Sequence, residues 1–287
     1  MPRSRWRTVG LYALALLAAI YLVAPFSWLV ITSFKTEAEA RSIPPHFYPH
    51  EPTLQNYLTF LQPGGRALYA QRAVEYTPRA ILNSAIVAFS VAMLNLILGA
   101  MAAYSFARLD FRGNRILLMF YLISRMVPAV ALMIPMYILV KRYGLLDQVP
   151  SLILAYLTFT LPFTIWILKS YFQTIPRDLE DAARIDRCTW VGMMLRVFLP
   201  VAAPGLVAAG MFAFMTSWNE FLYALLFTST IRSLTAPVIA SWFATDLRIE
   251  YTFMMTGGVL TVVPPLVLAL LFQRLIIQGL VSGSVKG

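Results

Sequence analysis

Long apolar runs alternate with short polar connections along this chain. Six stretches, at 9–32, 80–107, 116–140, 152–172, 201–227 and 253–277, are predominantly apolar over the roughly 20 residues that a helix needs to cross a bilayer. None shows the period-two alternation of a membrane strand. Backbone groups in hydrocarbon must be satisfied within their own segment, which favours helices. The pattern predicts an all-α membrane protein, a bundle of about six transmembrane helices in a single domain over 1–287. Its polar connections fall at 33–79, 173–199 and 228–252, with a short tail at 278–287.

Composition supports this reading. The chain is 59% hydrophobic and 13% charged, with a mean hydropathy of +0.70, whereas soluble domains carry about 25% charged residues. The net charge is +10, but most Arg and Lys flank the apolar runs, where basic residues set topology. No basic face interleaved with aromatics suggests nucleic acid as a partner. The one cysteine, Cys188, has no intrachain disulfide partner.

Ala38-Glu39-Ala40 superficially resembles a signal-cleavage site. The run before it is longer than the about 7–15 residues of a signal h-region, so it is expected to be a retained first span. Arg3, Arg5 and Arg7 place the N-terminus in the cytoplasm by the positive-inside rule. With an even number of spans the C-terminus lies there too. The Arg108, Arg112 and Arg115 turn and the 173–199 loop are then cytoplasmic. The 33–79, 141–151 and 228–252 segments are outside, with Lys141-Arg142 against the trend.

Proline interrupts the apolar runs at Pro25, Pro128, Pro135, Pro162, Pro204 and Pro264-Pro265, each a place where a membrane helix can kink. Two ionisable residues fall at membrane depth, Arg125 and, within Trp218-Asn219-Glu220-Phe221, Glu220. A charge in lipid is costly and normally faces a partner or a water-filled path. Arg125, Trp218, Asn219 and Glu220 are therefore candidates for a pathway or a subunit interface. Arg125 and Glu220 would also suit an ion-coupled secondary carrier, the alternative function.

Catalytic motifs are absent. The sequence has no phosphate-binding G-x-x-x-x-G-K-[ST] loop, no H-E-x-x-H and no G-x-S-x-G. The two histidines, His46 and His50, share the Pro-rich 33–79 loop. They fall short of the about four ligands of a structural zinc site, so no metal is expected.

The densest charge lies in the 173–199 loop. Asp178 is placed to cap a helix with Asp181 three residues on, and Glu180 and Arg184 have the i, i+4 spacing of an ion pair. Ala182 and Ala183 are small enough for close approach to a partner. Thr189 is placed to cap a second short helix through Met193, Met194 and Leu195 that ends near Pro200.

Glu180-Asp181-Ala182-Ala183, Asp186 and Val197-Phe198-Leu199-Pro200 resemble the EAA loop of ABC importer permeases. In that family E-A-A is followed by three residues, Gly, nine residues and I-x-L-P. Asp181 stands at the E position and Arg187 at the Gly position. The family Gly looks like a helix C-cap of positive φ, where another residue costs about 1 kcal/mol. Arg187 is thus either held at positive φ or paired with an acidic residue of a partner.

Gln55-Asn56-Tyr57, Ala102-Ala103-Tyr104-Ser105-Phe106-Ala107-Arg108, Gly144-Leu145-Leu146-Asp147, Trp218-Asn219-Glu220-Phe221 and the tail from Gln278 resemble the maltose-type, carbohydrate-uptake branch. The resemblance implies a permease subunit of a bacterial or archaeal inner-membrane importer for a sugar, oligosaccharide or polyol. It implies a second homologous permease chain, two ATPase subunits that bind the ATP and Mg, and an extracytoplasmic solute-binding protein. This chain would hold no cofactor and no catalytic residue. Coupling to the ATPases would fall to Glu180, Asp181, Ala182, Ala183, Asp186, Arg187, Leu199 and Pro200. The 228–252 segment, with Trp242, Phe243 and Tyr251, would reach the docked binding protein.

Overall fold

The computed structural model describes residues 5–62, 71–243 and 249–284, with side chains at 8–62, 71–243 and 249–275. Arg3, the side chains of Arg5 and Arg7, and 285–287 of the tail lie outside them. All regular structure among the described residues is helical. Four helices are long and apolar enough to cross a membrane: α1 (Arg5–Ser33), α4 (Gln71–Arg108), α7 (Val149–Thr174) and α14 (Tyr251–Ser284). The last continues into the predicted tail.

The third and fifth apolar runs are sharply bent, next to two of the prolines at which the sequence allows a kink. The third is α5 (Asn114–Ser124) and α6 (Ala129–Arg142), whose axes differ by 93°. The fifth is preceded by α8 (Arg177–Ile185), α9 (Trp190–Met193), a π-helical turn (Met194–Phe198) and α10 (Leu199–Val201). It then turns 85° at Ala202 into α11 (Ala203–Trp218), with α12 (Leu222–Phe227) beyond a break at 219–221. Pro128 stands immediately before α6, and Pro204 sits at the start of α11. In both places the missing proline N–H interrupts the helical hydrogen-bond ladder, and at Pro128 the restricted preceding residue also keeps the incoming helix from continuing. Pro25, Pro135, Pro162 and Pro264-Pro265 lie inside continuing helices. Counting each bent pair as one span gives six.

The chain forms two compact units. One comprises Met1–Pro78 and Ile239–Val263, the other Arg79–Val238 and Pro264–Gly287. Both boundaries inside long helices fall at proline, Pro78 in α4 and Pro264 in α14.

In the first unit, α1 is exposed at every position from 8 to 26. A stretch apolar on all sides and exposed throughout among the described residues is suited to lipid or another subunit. The short helices α2 (Glu37–Ala40) and α3 (Gln55–Leu61) enclose a polar core. Asn56 Nδ2 donates to the Ser33 and Lys35 carbonyls, each at 2.8 Å. Glu37 accepts the Thr252 N–H at 3.1 Å and hydroxyl at 2.9 Å, and pairs with Arg41 at 2.6 Å. Phe243 packs on Phe60 and is buried. Trp242 is half-buried, with Tyr76 its aromatic neighbour, and the Arg41 guanidinium lies over Tyr251. The aromatics expected to await a partner are thus largely engaged by their own chain.

In the second unit α11 packs along α7 and α12 against α6. The helices approach closely at glycine: a Cβ on Gly99 would lie 2.7 Å from Thr164 Cγ2, and one on Gly205 2.4 Å from the Tyr171 ring. Asn95 Nδ2 donates to Thr160 Oγ1 at 2.8 Å, binding α4 to α7 within the buried core. Asn83 reaches the Ile231 and Leu234 carbonyls at 3.0 and 2.9 Å, fixing the turn that precedes α13 (Ala236–Ser241).

Candidate coupling loop

The 173–199 loop is built on one hydrophobic anchor. Phe198 is buried, with Tyr104 of α4 at a ring-centroid distance of 4.9 Å and Phe172 of α7 at 5.4 Å, both edge-on. Met193, Ala183, Cys188, Val197 and Leu199 join the same cluster. Pro200 is exposed and enters the turn toward Ala202.

On this base α8 presents two faces. Its N-cap is Pro176 rather than the expected Asp178. Pro176, at φ −57° and ψ 141°, delivers the chain into the helix two residues earlier than a capping box on Asp178 would require. Asp178 lies instead in the first turn, where its charge suits the helix dipole. The inward face carries Glu180 and Ala183, both buried. Glu180 Oε1 accepts the Tyr104 hydroxyl at 3.1 Å and Arg184 Nη2 at 2.9 Å, and its other oxygen lies 3.5 Å from Arg108 Nε. Arg108 also donates to the Ile175 carbonyl at 2.5 Å. The predicted Glu180–Arg184 pair is present, but Glu180 faces its own chain and not a docking partner.

The outward face carries Leu179, Asp181, Ala182, Ile185 and Asp186, all exposed, with Ile185 at 82%. Arg187 has φ 54°. Its N–H donates to the Arg184 carbonyl and the Cys188 N–H to the Ala183 carbonyl, each at 3.0 Å. These two bonds form a Schellman motif with Arg187 at the left-handed C′ position, the geometry that the family glycine predicts. Thr189 Oγ1 then accepts the Gly192 N–H at 3.1 Å and caps α9, as expected. The Arg184 guanidinium lies 5.5 Å from the Trp190 ring centre, closing the loop on itself.

The four pathway candidates separate. Trp218 is buried and stacks on Phe214 at 5.6 Å. Asn219 is exposed and returns its amide to the Met215 carbonyl at 2.9 Å. Glu220 caps α12, accepting the Tyr223 N–H at 2.9 Å and the Ala224 N–H at 3.2 Å. Arg125 sits at the α5–α6 bend over the paired rings of Phe163 and Phe212, at 4.7 and 5.0 Å. No ion pair joins Arg125 to Glu220.

One polar node was not anticipated. Asp147, in the turn between α6 and α7, has φ 59°. It accepts the Ser229 and Thr230 N–H groups at 2.8 and 2.9 Å and the Thr230 and Ser233 hydroxyls at 2.6 and 2.5 Å. Burial raises its carboxyl, but the four donors outweigh that and hold it at about 2. The Gly144-Leu145-Leu146-Asp147 motif was its only signal in the sequence.

Up to six apolar spans among the described residues, two of them sharply broken, define a multi-pass membrane protein. The chain belongs to the family of binding-protein-dependent transport system inner membrane components, which matches residues 75–282. It is 34% identical over 263 residues to the sulfoquinovosyl glycerol transport system permease protein SmoH of Agrobacterium fabrum, covering 92% of this chain and 88% of that one. It is 35% identical to the trehalose permease SugB of Mycobacterium tuberculosis, covering 93% of each chain. The trehalose/maltose permease MalG of Thermococcus litoralis is 31% identical, with 95% of each chain covered. A chain of a bacterial ABC transporter involved in alginate import shares the fold, with a TM-score of 0.77, 19% identity and coverage of 95% of this chain and 98% of that one.

Proposed function

We propose that this permease carries a sugar, oligosaccharide or polyol inward, with a second permease chain beside it. In this reading two ATPase subunits bind ATP and Mg beneath the pair, an extracytoplasmic binding protein delivers the solute, and both termini face the cytoplasm. The sugar class is supported by the trehalose and maltose permeases among the relatives.

The two-faced α8 carries the coupling role. Its outward face offers Leu179, Asp181, Ala182 and Ile185 to an ATPase, while Glu180 and Ala183 hold the helix to α4. A push on the outward face is then transmitted through Glu180 to Tyr104 and Arg108, and through Phe198 and the π-helical turn to the bend at Ala202. Docking surface and transmission element are opposite sides of one short helix. The secondary-carrier alternative is not favoured, because Glu220 is occupied as a helix cap and Arg125 by two aromatic rings.

The test is coupled transport by the assembled complex in proteoliposomes. Asp181→Lys with Ile185→Asp should abolish ATP-driven uptake while the chain still inserts and keeps its fold. Undiminished ATP-driven uptake by this variant would remove the coupling role.

A further inference from the structure

Three side chains with metal-ligating atoms converge on the segment that follows α1. Glu39 lies in α2, and the chain returns past it at His46 and His50. Glu39 Oε1 accepts the His50 peptide N–H at 2.8 Å. The same oxygen is hydrogen-bonded to His50 Nδ1 at 3.0 Å and lies 3.4 Å from His46 Nδ1. One ligand atom from each residue lies within 4.8 Å of the others. The imidazole rings meet edge to face with centroids 4.3 Å apart, which sets both on the same carboxylate.

A second observation points to a ligand. Glu39 Oε2 and His46 Nδ1 are both buried and have no hydrogen-bond partner, and the Glu39 side chain is only 8% exposed. The 3.4 Å approach of His46 to the carboxylate lacks hydrogen-bonding geometry. A buried polar atom left without a partner is costly. If Glu39 served only to brace the loop, its bonds to the His50 peptide and ring would suffice, yet Glu39 Oε2 and His46 Nδ1 remain unsatisfied. Both unsatisfied atoms are of the kind that ligate a metal.

The donor set selects the ion. Two imidazole nitrogens and one carboxylate oxygen suit zinc, whereas calcium and magnesium prefer oxygen alone. Tetrahedral zinc with bonds of about 2.0–2.1 Å holds neighbouring ligand atoms roughly 3.3–3.5 Å apart, so the 3.0 and 3.4 Å measured from Glu39 Oε1 need little adjustment, and the unpartnered Oε2 of the same carboxylate is placed for a second, bidentate contact. Pro44, Pro45 and Pro49 stiffen the intervening chain, so ordering the ligands loses little conformational freedom.

We propose that Glu39, His46 and His50 form a binding site for one Zn²⁺, with a further coordination position open to water. Each histidine ligates as the neutral imidazole through Nδ1, its proton on Nε2. The ion fastens α2 to the Pro-rich return segment. The histidine pair is visible in the sequence, but only the fold supplies Glu39.

The experiment uses the full-length chain in its assembled transporter, purified through a tag free of histidine and stripped with a chelator. Zn²⁺ is added, excess is removed, and bound zinc is counted by mass spectrometry. The wild type should hold one more zinc per chain than Glu39→Gln or His50→Gln. Co²⁺ should give the wild type an intense tetrahedral d–d band that both variants lack. Equal zinc content and equal cobalt spectra in wild type and variants would overturn the site. Should a variant fail to assemble, the wild-type cobalt spectrum decides alone, and absence of a tetrahedral band with nitrogen ligands would overturn it.

Discussion

The Ser233 hydroxyl donates to Asp147 Oδ1 at 2.5 Å, tying the α6–α7 turn to the turn that follows α12. With the Ser229 and Thr230 N–H groups and the Thr230 hydroxyl it completes a four-donor cradle around one carboxylate.

That cradle makes stability depend on acid. Burial raises the Asp147 carboxyl, but its donors bring it down from 3.8 to about 2. Its contribution is therefore complete above the unfolded value near 4 and is lost as pH falls through about 2. After discounting for partial exposure, Asp147→Asn should cost about 1–2 kcal/mol at neutral pH. Asn tolerates the left-handed backbone, which isolates the loss of charge. Thermal unfolding should show the gap between wild type and variant narrowing toward pH 3, inside the window set by 3.8 and about 2. A gap that stayed constant would sink this account.

Arg187 at φ 54° supports a second prediction. Arg187→Gly should stabilise the loop by up to about 1 kcal/mol, because glycine adopts this conformation without strain. If Arg187 instead pairs with an acidic residue of an ATPase, the substitution should weaken assembly. Thermal stability of the isolated permease and retention of the ATPase subunits on a gel-filtration column separate the two effects.

Glu180 and Asp181 are adjacent in sequence and should behave oppositely. Removing the Glu180 charge leaves the buried Arg108 guanidinium without its carboxylate, a loss of about 3 kcal/mol for a buried pair. Glu180→Gln should expose the loop to limited proteolysis. Asp181→Asn, on the exposed face, should leave the protease pattern unchanged. Equal protection of Glu180→Gln and wild type would contradict the inward clamp.

Gly205 sets the distance between α11 and α7. A methyl group there meets the Tyr171 ring at 2.4 Å, so Gly205→Ala should destabilise by about 1–3 kcal/mol. Gly10, where an added Cβ meets nothing within 4 Å, is the control. Comparable melting temperatures for Gly205→Ala and Gly10→Ala would refute the close approach.

Much of this was legible in the sequence, because spans and local loop geometry depend on short-range pattern. The apolar runs located the helices, Thr189 capped α9, and the family glycine position foretold positive φ at Arg187. The sharp turns were less legible. Proline is tolerated inside α7 at Pro162 yet breaks the chain at Pro128 and beside Pro204; packing around each proline decides, and no local pattern carries that information. Glu180 looked like a docking residue because its partner Tyr104 is 76 positions away. Phe243 looked exposed for the same reason, since Phe60 reaches it only in the folded chain.

The bare surface of α1 over 8–26 bears on how this protein varies. Positions this exposed are constrained mainly by solubility in hydrocarbon and by whatever neighbouring subunit rests there. Leu, Ile, Val, Phe and Met should interchange along most of that stretch with little effect on the fold of this chain. The few sites that resist exchange will therefore trace the outline of the neighbouring molecule, so that a mutational scan of one helix records the footprint of another protein.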